Sequence, residues 1–272
     1  MAARVSSASR AASDERSEAE VIIPLSAELV RPAPKRHGRT VGRMQRISGH
    51  DAAFVALTDP AFMVPPVPAA SAGVAWLRAT VARFSSGTVH DRRRALVIEL
   101  LDAIPLESLR DRSRMHPVAI LGRAIGVEEP VIDLVRQVAQ AYLPGTGDDS
   151  RADVAVDRLV AVFGGVFDEP TAARIGLLVQ ACQATAVLIE RASDHPVDEV
   201  LRENPPVPAT KRRARVTTTV GDITIEAGEV VQVCLADGLA FGAGPHRCPG
   251  RAHALALAAS ALGDNALAGD TP

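Results

Sequence analysis

The period of the apolar positions changes twice along the chain. Over residues 21–68 short apolar stretches alternate with Pro and Gly, which predicts short strands and one helix. From there to about residue 204 the spacing is helical. Residues 91–104 carry Ala95, Leu96, Ile98, Leu100 and Leu101 on apolar faces; residues 117–125 and 130–142 follow, separated by Gly126-Val127 and ended by Pro144-Gly145. The longest helix is predicted from near Pro170 to about Ala192. Asp168 is its N-cap, and Pro170 sits in the first turn, where a missing N–H costs nothing. At 1.5 Å per residue this helix is roughly 35 Å long. It is apolar on most sides through Ile175, Leu178, Val179, Leu188 and Ile189, so it belongs in the middle of a domain.

Beyond residue 204 the pattern turns to strands. Residues 216–220 and Ile223–Ile225 are β-branched runs joined by Gly221-Asp222, a two-residue hairpin signal. A third run covers residues 230–235, and a glycine-rich loop leads into a final Ala/Leu helix from about Gly250. No internal repeat is visible. The pattern predicts a mainly α domain with a small β part over residues 21–272, preceded by a tail of Ser, Ala, Arg and Glu over residues 1–20.

Composition narrows the function classes. The 272 residues can bury a large core, and 47% of them are hydrophobic. A net charge of −2 gives no electrostatic footprint for nucleic acid. The runs Arg92-Arg93-Arg94 and Lys211-Arg212-Arg213 are local and read as solvated surface. No stretch of eighteen apolar residues predicts a membrane span, and the first residues lack a signal peptide's apolar core. Cys182, Cys234 and Cys248 form no C-x-x-C pair and no disulfide framework, so the cytoplasm is the default compartment. Richness in Ala, Arg and Val points to a high-GC bacterial gene.

The chemistry concentrates in Phe241-Gly242-Ala243-Gly244-Pro245-His246-Arg247-Cys248-Pro249-Gly250. Gly242 and Gly244 allow a tight turn with positive φ. Cys248 stands just before a helix, whose N-terminus and backbone N–H groups favour a thiolate. Phe241 offers a flat apolar face beside the sulfur. Elsewhere, Glu199 and Arg202 are spaced i, i+3, which places both on one helix face where they can pair.

The ten-residue loop resembles the FGxGxHxCxG signature of the cytochromes P-450, with Pro249 as an accepted variant after the cysteine. Other segments resemble the same family in order. Glu199-x-x-Arg202 followed by Asn204-Pro205-Pro206 is similar to its K helix and the loop after it, and His90-Asp91-Arg92-Arg93-Arg94 to its HxxxR helix start. Arg213-Ala214 with the hairpin resembles its next strands, Asp59-Pro60-Ala61-Phe62 the segment after its B helix, and residues 116–127 its E helix. The resemblance implies a cytochrome P-450-like fold and haem b held by Cys248. His90, Arg94, Arg213 and His246 would then lie around the propionates, Phe241, Gly242, Gly244 and Gly250 would shape the loop, and a structural Glu199–Arg202 pair would be buried. The implied activity is monooxygenation of a small molecule in bacterial specialised metabolism, with an external ferredoxin.

The sequence also departs from the family. Several segments are expected to be missing: the meander before the loop with its second Arg, the C-terminal β hairpin, the lid, and the helix between the long helix and Glu199. Apolar surface uncovered in this way would call for a homo-oligomer or a partner protein. In the long helix Thr185 matches the family's threonine, but Ala184 stands where an acid belongs, so proton delivery would need another relay, through Gln183 and water. Two alternatives therefore stand beside monooxygenation. One is a haem enzyme that does not use dioxygen, whether peroxide-driven, an isomerase, a dehydratase or a cyclase. The other is a non-catalytic partner subunit, which would have no need of Cys248.

Overall fold

The computed structural model describes residues 44–110 and 115–262, which fall within one compact unit. The expected tail at residues 1–20 and the elements expected before residue 44 lie outside the described residues. Nine α-helices and six strands occur among the described ones. In chain order they are β1 (Arg46–Ile47), α1 (His50–Thr58), β2 (Phe62–Met63), α2 (Gly73–Thr80), α3 (Gly87–Asp102), α4 (Pro117–Ala124), α5 (Ile132–Ala141), α6 (Asp149–Val162), α7 (Glu169–Ala192) and α8 (Val197–Glu203). Then come β3 (Ala209–Ala214), β4 (Thr218–Val220), β5 (Ile223–Ile225), β6 (Val230–Cys234) and α9 (Arg251–Leu262).

The long helix forms where its caps place it. The Asp168 carboxylate accepts from the Thr171 N–H at 2.8 Å, satisfying one of the four amides that a helix start leaves open. α7 is the central post of the larger core: Ile175, Leu178, Val179 and Cys182 pack with Val74 and Leu77 of α2, Leu121 of α4, Val135 and Val138 of α5, Leu159 of α6 and Leu257 of α9. Among the described residues, α7 is the helix long and apolar enough to cross a membrane, and more than half of it is buried inside this fold, as a core helix is. Its C-terminal half makes a smaller core, in which Leu188 and Ala192 meet Val197 and Val200 of α8 and Ala258 of α9.

The β part has its own core. β6 is central in the order β1-β6-β3-β2; β1 runs parallel to it and the other pairs are antiparallel. β4 and β5 form the separate expected hairpin, with Val220 opposite Ile223 across Gly221-Asp222. Ile47, Leu57, Ile225, Val231 and Val233 fill the space between these strands and α1. β3 alternates sharply: Arg212 and Ala214 are buried, whereas Lys211 is exposed and Arg213 half-exposed. That alternation decides which arginine enters the site.

An ion cluster ties α3 to the start of α7. Arg92 Nε and Nη2 donate to the two Glu169 oxygens at 2.8 and 2.7 Å, and Arg93 Nε adds a bond at 2.9 Å. The Arg92 hydrogen bond, reinforced by Arg93 against the opposing effect of burial, pulls the Glu169 carboxyl down to about 2. A folded-state pKa below the unfolded value means stability that is fully present above about 4.5 and is lost as pH falls toward 2. Urea unfolding between pH 5 and pH 2.5 should therefore show a shallower loss of stability in Glu169→Gln than in the wild type. Parallel profiles would show that the cluster contributes nothing to folding.

Candidate functional site

The loop between β6 and α9 is held by its own backbone. Gly242 N–H donates to Leu239 O at 2.7 Å, Arg247 N–H to Gly244 O at 3.0 Å, and Cys248 N–H to Phe241 O at 2.8 Å. A short 3₁₀ turn, Gly244–His246, lies in the middle. Both glycines have positive φ, +68° at Gly242 and +65° at Gly244. They differ in surroundings: a Cβ on Gly244 would lie 2.8 Å from Leu57 O of α1, whereas one on Gly242 would meet nothing closer than 3.7 Å. Both alanine variants should bear the left-handed cost of roughly 1–2 kcal/mol, and Gly244→Ala should lose clearly more. Urea denaturation of the two variants side by side checks this; equal losses would mean that α1 yields to the loop.

Cys248 is exposed, whereas Cys182 and Cys234 are buried. Its sulfur is nonetheless partly desolvated by neighbouring protein. Burial raises the thiol pKa, outweighing the Gly250 N–H bond and the nearby charges of Arg94, Arg83 and Arg247. This corrects the expectation that the loop alone would favour a thiolate: desolvation wins until a cation binds the sulfur. Cys182, in the main core, is pushed up to about 11 by burial and stays a thiol. The guanidinium of Arg251 lies 5.7 Å from the centre of the Phe241 ring. A Cβ on Gly250 would meet Leu101 of α3 at an ordinary 3.7 Å, so its amide matters more than its missing side chain.

His246 reaches toward α3. Its ring centre lies 4.1 Å from that of His90, a residue only 3% exposed. His90 Nδ1 stands 3.1 Å from a carboxylate oxygen of Asp91, which is itself largely exposed. Burial first, and then the charges of His90, Arg212, Arg94 and Arg83, push His246 down to about 3. At neutral pH it is an uncharged imidazole among guanidinium groups. Arg212 is 5% exposed and, among the described residues, donates to Thr210 Oγ1 and Lys211 O. Burial and the charge of Arg83 lower it to about 10, so it remains a cation. Among the described residues no carboxylate pairs with Arg83, Arg94 or Arg212.

The structure thus gathers His90, Arg94, His246 and Cys248 in one neighbourhood and corrects three other expectations. Arg213 points away: its Nε donates to Gly228 O at 3.3 Å. Successive strand residues face opposite sides, so Arg212 takes the inward place instead. Gln183 is exposed whereas Thr185 is buried, because residues two apart lie about 200° apart around a helix; the two side chains leave α7 on different sides. Glu199 is half-buried, and Arg202, with 58% of its side chain exposed, donates to Glu203 at 3.0 Å. In place of the expected buried pair, Arg202 makes an exposed contact with its chain neighbour Glu203. Sequence reasoning also missed Arg83, which lies in a 3₁₀ turn before α3 and matches no motif.

No family model matches the sequence, and no curated protein matches it. Solved structures do resemble it. P-450 BioI in complex with a hexadec-9Z-enoic-acid-ligated acyl carrier protein is 16% identical over 80% of this chain and 83% of that one, with a TM-score of 0.61. The cytochrome P-450 CYP109B1 from Bacillus subtilis is 17% identical over 80% and 84%, with a TM-score of 0.55. A thermophilic cytochrome P-450 from Sulfolobus tokodaii is 18% identical over 68% and 73%, with a TM-score of 0.56. At these identities the likeness concerns architecture, and this chain has a mainly α, cytochrome P-450-like fold with a small β part.

Proposed function

We propose that this protein holds haem b through the Cys248 thiolate and oxidises a small molecule, as a monooxygenase-type oxidoreductase of bacterial specialised metabolism. The observation that carries this reading is the charge balance beside the thiol. Arg83, Arg94 and Arg212 all bear on His246 with no protein carboxylate opposed to them. Arg212 is buried and Arg83 and Arg94 are half-buried; a cation withdrawn from water is stable when paired, and a dianionic group with two carboxylates supplies that pairing. The donor set agrees. No group of three His, Cys, Asp or Glu side chains suited to a metal occurs among the described residues. A single thiolate suits an iron that brings its own equatorial nitrogens.

In this reading Arg94 and Arg212 hold the propionates, with His90 and neutral His246 donating ring N–H groups. The Gly250 amide stabilises the sulfur, and Phe241 and Arg251 shield its flank. Haem ligated by thiolate supplies electron density that favours O–O cleavage. Because burial holds the free thiol protonated, haem uptake releases a proton and should strengthen as pH rises. The cytoplasm, a ferredoxin donor and association with a second copy or partner remain parts of the proposal.

The exposed position of Gln183, with Ala184 where an acid is expected, favours a second reading in which peroxide serves as oxidant. Dioxygen requires ordered delivery of two protons, whereas peroxide carries its own. The test uses haem-loaded protein with a panel of small hydrophobic compounds, supplied either with ferredoxin, reductase and NADPH or with hydrogen peroxide. Oxidised product that depends on Cys248 is expected. Product under the first condition supports monooxygenation and under the second the peroxide route. Loaded protein that oxidises nothing under either condition contradicts both.

A further inference from the structure

The hydroxyl of Tyr142 is a polar group inside the main core. Tyr142 follows α5 and is 5% exposed; its hydroxyl is shut off from solvent and has no hydrogen-bond partner among the described residues. Its ring lies 5.3 Å from that of Phe84, so carbon faces the phenol on that side. Burial raises its pKa far above the usual phenol value, against the lowering by Arg83, so the group keeps its proton and remains a donor. A buried donor left unmet costs more than a hydrogen bond gains, and such groups in folded proteins are met by protein or by ordered water.

Gly176 of α7 stands opposite this hydroxyl. A glycine within a helix is less favourable than alanine because it loses more backbone freedom, and its neighbours on the buried face, Ala172, Ile175 and Val179, all carry side chains. The surroundings supply a reason. The three atoms nearest to where a side chain on Gly176 would begin are Val81 Cγ1 at 3.1 Å, Tyr142 Oη at 3.8 Å and Gln180 Nε2 at 3.9 Å. Gln180 is held in place, its Nε2 donating to Gly176 O at 3.1 Å, which leaves its Oε1 as an acceptor. Val81, Gly176 and Gln180 also line a cavity of about 20 Å³, as do the paired Arg93 and Glu169. About 10–15 Å³ of such space admits one water molecule.

We propose that Tyr142, Gly176 and Gln180 form a site for one ordered water molecule, which accepts from the Tyr142 hydroxyl and donates to Gln180 Oε1, and that residue 176 is glycine to leave room for it. Polar partners retain a water in a small cavity, whereas a purely apolar one stays dry. The volume admits nothing larger. The water ties the end of α5 to α7 through hydrogen bonds that the side chains do not make directly.

A crystal structure of the full chain that resolves ordered water, together with urea unfolding of four proteins, tests this. The four are the wild type, Gly176→Ala, Tyr142→Phe and the double variant. A water within hydrogen-bonding distance of Tyr142 Oη and Gln180 is expected in the wild type and should be gone in Gly176→Ala. The added methyl also presses on Val81, but it does so with or without the hydroxyl, so comparing the two backgrounds removes that cost. In the wild type the methyl leaves the hydroxyl buried and unmet. In Tyr142→Phe it only fills space and favours the helix. Gly176→Ala should therefore raise the unfolding equilibrium constant by a factor about five times larger in the wild type than in Tyr142→Phe, the worth of one hydrogen bond. No water at this position overturns the proposal. So does a water that remains in Gly176→Ala, or an effect of Gly176→Ala that is the same in both backgrounds.

Discussion

Arg212→Met should have opposite effects on the free and the haem-loaded protein. Without haem, Arg212 is a cation of 5% exposure near Arg83 and His246, with no acid among the described residues to balance it. Its buried charge destabilises the fold, and an apolar side chain of similar length relieves that cost. The variant without haem should unfold at higher urea than the wild type. With haem the same substitution removes a charge-assisted bond to a propionate, and affinity should fall roughly tenfold to a hundredfold. Arg213→Met is the control: its guanidinium bonds Gly228 O on the other side of the strand, so haem affinity should stay unchanged. Haem titration of the three proteins decides the matter. If Arg213→Met loses haem and Arg212→Met does not, the inward arginine has been misassigned.

Arg78→Ala should be strongly destabilising although it lies outside the site. Arg78 is 7% exposed and locks α2 to the end of α5 and the start of α6. Its fork meets both Asp149 oxygens, at 2.9 and 2.6 Å, and the same guanidinium donates to Tyr142 O at 3.3 Å and to Ala141 O. The last two are carbonyls at the C-terminal end of α5, which otherwise lack partners and favour a cation. Truncation leaves these carbonyls buried and unpaired and opens a cavity, at a cost of about 3 kcal/mol. Arg78→Lys should recover little of it, because one ammonium cannot span the four acceptors. Asp149→Asn should cost less, since the side chain of Asp149 is 52% exposed and water can replace it. Urea unfolding of the three variants gives the order. A loss below 1 kcal/mol in Arg78→Ala would show that the α5 carbonyls find other donors.

How much of this could be read from the chain depends on the range of the forces involved. α7 was fully legible, because a capping Asp, an N-terminal Pro and apolar residues at helical spacing are local signals that the core reinforces. So was the hairpin at Gly221-Asp222. The two-residue strands β1 and β2 exist through pairing with β6 and β3, and no local pattern specifies so short a strand. α6 lay in the helical stretch without being delimited, although Asp148 caps it through bonds to Ser150 and Arg151. The loop around Cys248 was legible as a motif, and the structure adds that Gly244 is the glycine pressed against α1. The errors share a cause. Choosing between Arg212 and Arg213, or between Gln183 and Thr185, requires knowing which side of a strand or helix faces inward. Two-residue spacing preserves the face in a strand and reverses it in a helix. Arg83 carried no signal, since its interest comes from neighbours distant in sequence.

The central claim is that Cys248 ligates haem iron. Its most direct test is the absorption spectrum of the reduced, CO-bound protein after haem reconstitution, recorded for the wild type and for Cys248→Ala. The wild type should show the strongly red-shifted Soret band of thiolate ligation, and Cys248→Ala should lose it, because burial keeps Cys182 and Cys234 out of reach. An identical spectrum in both proteins, or a wild type that binds no haem, would contradict the account.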